Sequence, residues 1–191
     1  SALVMSNPAW FRYEWVWLKS AGGGFLNANR QPLKRHENVL VFSSQQGMYS
    51  PQMERGKPYL TVSKSVGESF QDPTVAGWQT SNDGWRYPTS CLKVANPAGD
   101  HPTQKPVALF EYLIRTYTHE GALVLDPFVG SGTTAVAARN TKRRYVCGDV
   151  SAAYVSIARE RVSGEPFAPI VADDRVRALP LFAAPGGARA P

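Results

Sequence analysis

Leu123-Val124-Leu125-Asp126-Pro127-Phe128-Val129-Gly130-Ser131-Gly132-Thr133-Thr134 is the stretch from which the rest of the chain can be read. Its opening apolar residues predict a short buried strand. The chain then turns through Pro127 and Gly130 and enters a helical pattern, Thr134 to Arg139. A strand, a glycine turn and a helix N-terminus make a cradle: the glycines let a ligand approach the backbone, and the first-turn amides have no intrahelical partner. Arg144-Tyr145-Val146-Cys147-Gly148-Asp149 predicts the next strand. Its carboxylate stands about 20 residues past the turn, where ribose hydroxyls are gripped in nucleotide-binding βαβ units. A tight strand–helix turn with an ordinary capping Thr is the other reading of these residues. A P-loop is excluded, because no lysine stands in the turn and no Gly-Lys-Ser/Thr follows it.

The segment His101-Pro102-Thr103-Gln104-Lys105-Pro106 precedes the turn and leads into an amphipathic helix, Val107 to Thr116. The pair, His-Pro-Thr-Gln-Lys-Pro followed by Asp-Pro-Phe-Val-Gly-Ser-Gly-Thr-Thr, resembles the S-adenosylmethionine-dependent amino-methyltransferases of DNA, in the beta motif order. The resemblance runs from Trp10 to Val162. It implies an α/β fold, a Rossmann-like methyltransferase sheet flanked by helices. It also implies that Asp126, Pro127, Phe128, Gly130, Ser131, Gly132 and Thr133 wrap the methionine part of S-adenosylmethionine. Asp149 would take the ribose, and Thr103 and Lys105 would close over the carboxylate end. The chemistry agrees: a carboxylate is held by an ammonium and backbone amides, and a sulfonium is served by a water-poor apolar wall. The activity implied is methyl transfer to adenine N6, with cytosine N4 as the alternative, in duplex DNA.

Length and composition suit this expectation. The chain has 191 residues, 43% hydrophobic and 19% charged, which is enough for one full core. The formal charge is +6, from 21 basic and 15 acidic residues, compatible with nucleic acid but not diagnostic of it. No apolar run approaches a membrane span, and no basic-then-apolar leader opens the sequence. The two cysteines, Cys91 and Cys147, have no metal-ligand spacing and make no disulfide framework. Buried thiols in a reducing cytoplasm are expected. The three histidines are scattered, so no metal site is expected.

The first 48 residues are expected to belong to the catalytic half of the fold. Phe11 to Lys19 is aromatic and β-branched with one apolar face, which predicts a strand with Trp15 and Trp17 in the core. Gly22-Gly23-Gly24 and Asn27-Ala28-Asn29-Arg30 predict a loop, and Val39 to Phe42 a second short buried strand. The Trp-Leu-Lys strand, the Asn-Ala-Asn-Arg loop and His36-Glu37-Asn38 again look like the same family, in the half that holds the flipped base. Asn27, Asn29, Arg30 and His36 are candidate DNA contacts. Loop-capping hydrogen bonds are their alternative role. Residues 49–100 are broken by Pro and Gly and interleave aromatics with cations, a composition suited to stacking and phosphate contact. This is the expected target-recognition region, with Trp85 and Arg86 as candidate DNA contacts. Residues 101–166 form the expected cofactor half, and the Ala/Pro/Gly-rich 167–191 an expected disordered tail.

One family feature is missing. Methyl transfer to an exocyclic amine uses an Asp/Asn/Ser-Pro-Pro-aromatic turn that accepts from the amino group and stacks the base. The chain has no Pro-Pro dipeptide, and Asn7-Pro8-Ala9-Trp10 is its only near match. No catalytic residue can therefore be named. The sheet is expected to be incomplete on its N-terminal side, which fits a truncated piece of a longer enzyme, a half completed by another polypeptide, or a degenerate relative that has repacked. A catalytically inactive cofactor- or DNA-binding module is the alternative function. The expected partners are duplex DNA and either a second copy or a complementing chain that supplies the absent strand and turn.

Overall fold

The computed structural model describes residues 1–62, 79–95 and 104–163. Thr103, His101 and the tail 167–191 lie outside the described residues. A five-residue helix, α1 (Ala2–Ser6), is capped by the Ser1 hydroxyl and precedes β1 (Phe11–Gly23). Alternation along β1 puts Trp15 and Trp17 inward, each 3% exposed, as the sequence predicts. A 3-10 turn over Phe25–Asn27 connects it to β2 (Lys34–Phe42), which returns antiparallel with Trp15 opposite Val39 and Trp17 opposite Glu37.

The segment expected to be loop-rich carries short strands. These are β3 (Glu54–Arg55), β4 (Tyr59–Val62), β5 (Gln79–Asn82) and β6 (Trp85–Arg86), paired β3 with β6 and β4 with β5. The next strand, β7 (Cys91–Lys93), lies parallel to β1, giving the sheet order β2-β1-β7. Its middle residue, Leu92, faces the core, so Cys91 and Lys93 on either side face outward. Cys91 is accordingly exposed, not buried as its residue type suggested. Cys147 is partly buried, and burial pushes its thiol up to about 11.

Helix α2 (Val107–Tyr117) joins the two halves of the structure. Leu109 packs into the cluster of Trp15, Trp17 and Leu92, while Ile114 packs against Ala137 and Ala138. Those alanines belong to α3 (Thr133–Asn140), the crossover between β8 (Leu123–Asp126) and β9 (Arg144–Cys147). The two strands are parallel, Leu125 beside Val146 and Asp126 beside Cys147. A final helix, α4 (Ala152–Val162), starts at a Ser151 cap. Small residues on α3 let its backbone come close to α2 and to the strands, which is why Ala137 and Ala138 are fully buried.

Two expected buried strands are buried on one side only. Val124 faces α3, but Leu123 and Leu125 are 45% and 58% exposed, because α2 and α3 cover only the Val124 face. The edge of β8 away from β9 has no strand partner among the described residues. In the same way β2 is an edge strand among the described residues, and Val39 to Phe42 are half-buried. The architecture is the expected α/β one, with α2 packed between the β2-β1-β7 sheet and the β8-β9 unit, and two small two-stranded sheets beside them among the described residues.

Candidate functional site

The glycine turn forms where β8 ends. Gly130 and Gly132 both adopt left-handed backbone, φ +50° and +86°. Next to Gly130 a Cβ would meet open space, so this side of the turn is accessible. Next to Gly132 a Cβ would lie 2.8 Å from the Ala158 Cα, so α4 packs directly on the turn and only glycine fits there. Gly132 caps α3 without any side-chain hydrogen bond, which leaves the first-turn amides without a side-chain cap among the described residues.

Two carboxylates frame the turn. Asp126 Oδ1 accepts from the Phe128 amide at 2.9 Å, and its Oδ2 accepts from the Thr134 hydroxyl at 2.5 Å. Asp149 Oδ2 accepts from the Gly130 amide and its Oδ1 from the Ser151 amide, each at 3.0 Å. Val129 N donates to Gly148 O at 2.8 Å and Gly148 N to Asp126 O at 2.9 Å, so the ends of both strands are stitched together. Each Asp149 oxygen still has an acceptor position for a ligand hydroxyl. Phe128 stands beside the turn with 78% of its surface exposed, an apolar side chain largely uncovered among the described residues.

The amides of Ser151 and Gly130 hold the Asp149 carboxyl below its ordinary value of 3.8. A depressed carboxylate stabilises the folded turn fully above that ordinary value, and the contribution is lost as pH falls through the lower folded value. The Gly130 and Ser151 amide resonances are therefore expected to stay fixed from neutral pH down to about pH 4 and to shift together below it. In Asp149→Asn that acid transition should vanish. If the wild-type amides do not titrate, the carboxylate does not hold the turn.

The strap into α2 closes the other side. The Thr133 hydroxyl donates to Lys105 O at 3.2 Å, and the Lys105 ammonium pairs with Glu37 at 2.7 Å. On α4, Arg161 Nη1 donates to Ser131 O and Oγ and to Thr133 Oγ1, at 3.0 to 3.3 Å. Lys105, Asp126, Pro127, Phe128, Gly130, Ser131, Gly132, Thr133 and Asp149 thus converge on one turn. Sequence reasoning missed Glu37, Ala158 and Arg161. Arg161 follows Ala158 by three residues, one turn of α4, and that spacing was the only available signal.

The other candidates are spread over two surfaces. Asn27, Asn29 and Arg30 are exposed on the loop after β1, where the Arg30 amide donates to Asn27 O at 2.9 Å. His36 is exposed on β2 opposite Leu18. Trp85 and Arg86 form β6 in a separate small sheet. The Arg55 guanidinium lies 4.9 Å from the centroid of the Trp85 ring, and Trp85 is 45% exposed. Arg86 is spent internally: it donates to Lys57 O at 2.6 Å and to Asn82 Oδ1, and lies 4.7 Å from the Tyr59 ring.

Comparison with known proteins gives the family and the fold. A family profile described as DNA methylase, of the N6/N4 methyltransferase kind, covers residues 2–160. The chain is 30% identical over 146 residues to the Type II methyltransferase M.HpaI of Haemophilus parainfluenzae, covering 76% of this chain and 44% of that protein. It is 32% identical over 158 residues to the Type II methyltransferase M.BglII of Bacillus subtilis, covering 79% and 42%. The chain therefore spans less than half the length of these curated relatives. The solved M1.HpyAVI–SAM complex shares the fold, with a TM-score of 0.54 at 21% identity over 85% of this chain and 71% of that one. The chain belongs to the N6/N4 family of DNA methylases.

Proposed function

We propose that this chain binds S-adenosylmethionine at the Gly130–Gly132 turn and serves methyl transfer to an exocyclic base amine in duplex DNA, adenine N6 before cytosine N4. The observation that carries the reading is the turn itself. Gly130 is open to a ligand, Gly132 is locked on Ala158, the first turn of α3 is uncapped, and carboxylates stand on either side. These residues fit the cofactor. Asp149 has acceptor capacity for ribose hydroxyls, Phe128 offers an exposed apolar side chain, and the backbone of Lys105 touches the turn through Thr133 while its ammonium rests on Glu37. When bound, S-adenosylmethionine supplies a methyl group activated by positively charged sulfur. Adenine is taken first because it is the commoner acceptor among sequences that look like this one.

The exposed Asn27, Asn29, Arg30 and His36 supply polar contacts to the DNA. Trp85, half-exposed and paired with the Arg55 guanidinium, stacks on a base or touches the backbone in this reading. Arg86 serves this surface by holding the hairpin together. An acceptor turn with consecutive prolines is absent from the 191 residues, and the edge of β8 is unpaired among the described ones. Further polypeptide, continuous with this chain or separate from it, that adds a strand there and brings the acceptor turn fits both facts.

The test has two stages. Titration calorimetry of the chain with S-adenosylmethionine is expected to show one site, and a folded chain that does not bind would sink the reading. Labelled methyl transfer to mixed-sequence duplex DNA is then expected to need added polypeptide carrying an Asp-Pro-Pro-Tyr turn. Chromatography of the digested product identifies the base, and N4-methylcytosine would overturn the adenine assignment. Incorporation by the chain alone would instead place an acceptor within these residues, with Asn7 the first position to substitute.

A further inference from the structure

Three charged side chains from three segments meet on one buried indole. Trp17 is 3% exposed, and its Nε1 donates to Val94 O at 2.8 Å, so the ring is fixed. Over it lie the ammoniums of Lys19 and Lys105, 5.3 and 5.7 Å from the ring centroid. Glu37, directly across the β1–β2 ladder from Trp17, holds both: Oε1 lies 2.5 Å from Lys19 Nζ and Oε2 lies 2.7 Å from Lys105 Nζ. The two cations hold the Glu37 carboxyl below the ordinary range even though burial works in the other direction.

The charges do not cancel. Two ammoniums share one carboxylate, which leaves a net positive charge on the Trp17 face. Lys105 also connects the two halves of the molecule. Its ammonium is tied to β2, and its carbonyl accepts from Thr133 on the glycine turn at 3.2 Å. Without Glu37, two like charges would face each other over one ring, with nothing between them to offset the repulsion. Lys105, with 40% of its side chain exposed against 20% for Lys19, is the one with solvent to escape into. Its departure would loosen the strap on the turn.

We infer that Glu37 is a positioning residue: it holds Lys19 and Lys105 together on Trp17, sets the strap whose Lys105 carbonyl meets the glycine turn, and keeps a surplus positive charge on the Trp17 face for the carboxylate end of the cofactor. The inference rests on the cofactor reading proposed above. It assigns a role to a residue that makes no contact with the turn itself.

Calorimetric titration of the full chain with two ligands tests it. One is S-adenosylmethionine, and the other is 5′-methylthioadenosine, the same nucleoside without the amino-acid end. In Glu37→Gln, affinity for S-adenosylmethionine is expected to fall about tenfold or more, as for loss of a charged hydrogen bond. Affinity for methylthioadenosine should stay within about twofold, which also shows that the variant is folded. Glu37→Asp keeps the charge and should recover part of the loss. Lys105→Met should weaken S-adenosylmethionine alone, and adding Glu37→Gln to it should cost no more than about twofold further, because the two residues act through one contact. Equal losses for both ligands would overturn the inference in favour of a general structural role. An unchanged or tighter S-adenosylmethionine affinity would overturn it too, and would make Glu37 a competitor for Lys105. If the wild-type chain binds neither ligand, the cofactor reading fails and the inference falls with it; if it binds and Glu37→Gln is silent, only the inference fails.

Discussion

Gly132→Val is expected to abolish measurable S-adenosylmethionine binding and to cost the fold about 2–5 kcal/mol. Two penalties combine. A branched side chain at φ +86° sits in a backbone region that favours glycine, at about 1–2 kcal/mol. Its Cβ would lie 2.8 Å from the Ala158 Cα and 2.9 Å from the Ala158 Cβ, so α4 has to move, and forcing atoms into a packed contact costs about 1–3 kcal/mol more. Moving α4 also carries Arg161 away from Ser131 and Thr133, so the turn loses its outer brace. Thermal unfolding should register a drop on the order of 10 °C. Gly130→Ala is the matched control, because φ is also positive there but a Cβ meets nothing within 4 Å. It should cost only the backbone strain. If both variants unfold alike, the packing of α4 on the turn is not what restricts position 132.

Trp17→Ala should be the most destabilising single truncation in the β2-β1-β7 sheet, at about 3–5 kcal/mol. The indole is almost wholly buried with Trp15, Leu92 and Leu109, and its N–H is satisfied by Val94 O. Truncation opens a cavity, leaves that carbonyl unpaired and removes the surface on which Lys19 and Lys105 rest. For a domain whose whole stability is about 5–15 kcal/mol, that is a large fraction. Urea unfolding should show a lower midpoint with the slope unchanged. A loss below about 1 kcal/mol would mean that the cluster around Leu109 does not carry this half of the fold. Trp17→Phe keeps an aromatic face for the lysines and should lie between the two.

The sequence by itself determined the elements that make the site. The alternation of Phe11 to Lys19, the amphipathic run from Val107, and the strand–glycine turn–helix around Asp126 are local patterns, and each forms where it was read. Local pattern suffices there because periodicity and glycine backbone freedom act within a few residues. The family was legible for the same reason, since its motifs are contiguous.

What only the tertiary structure decided is which faces are covered and which distant charges meet. Cys91, Leu123, Leu125 and Val39 to Phe42 all look like core residues, yet β7 turns Cys91 outward and, among the described residues, β8 and β2 have strand neighbours on one side only. Burial belongs to the partner of a strand, and no residue type encodes it. Lys105 and Glu37 lie 68 positions apart, and Arg161 and Thr133 lie 28 apart. Nothing local marks either pair. Lysine and glutamate are ordinary surface residues until α2 carries the strap across to the sheet, and an ion pair acts only over the few ångströms that packing provides.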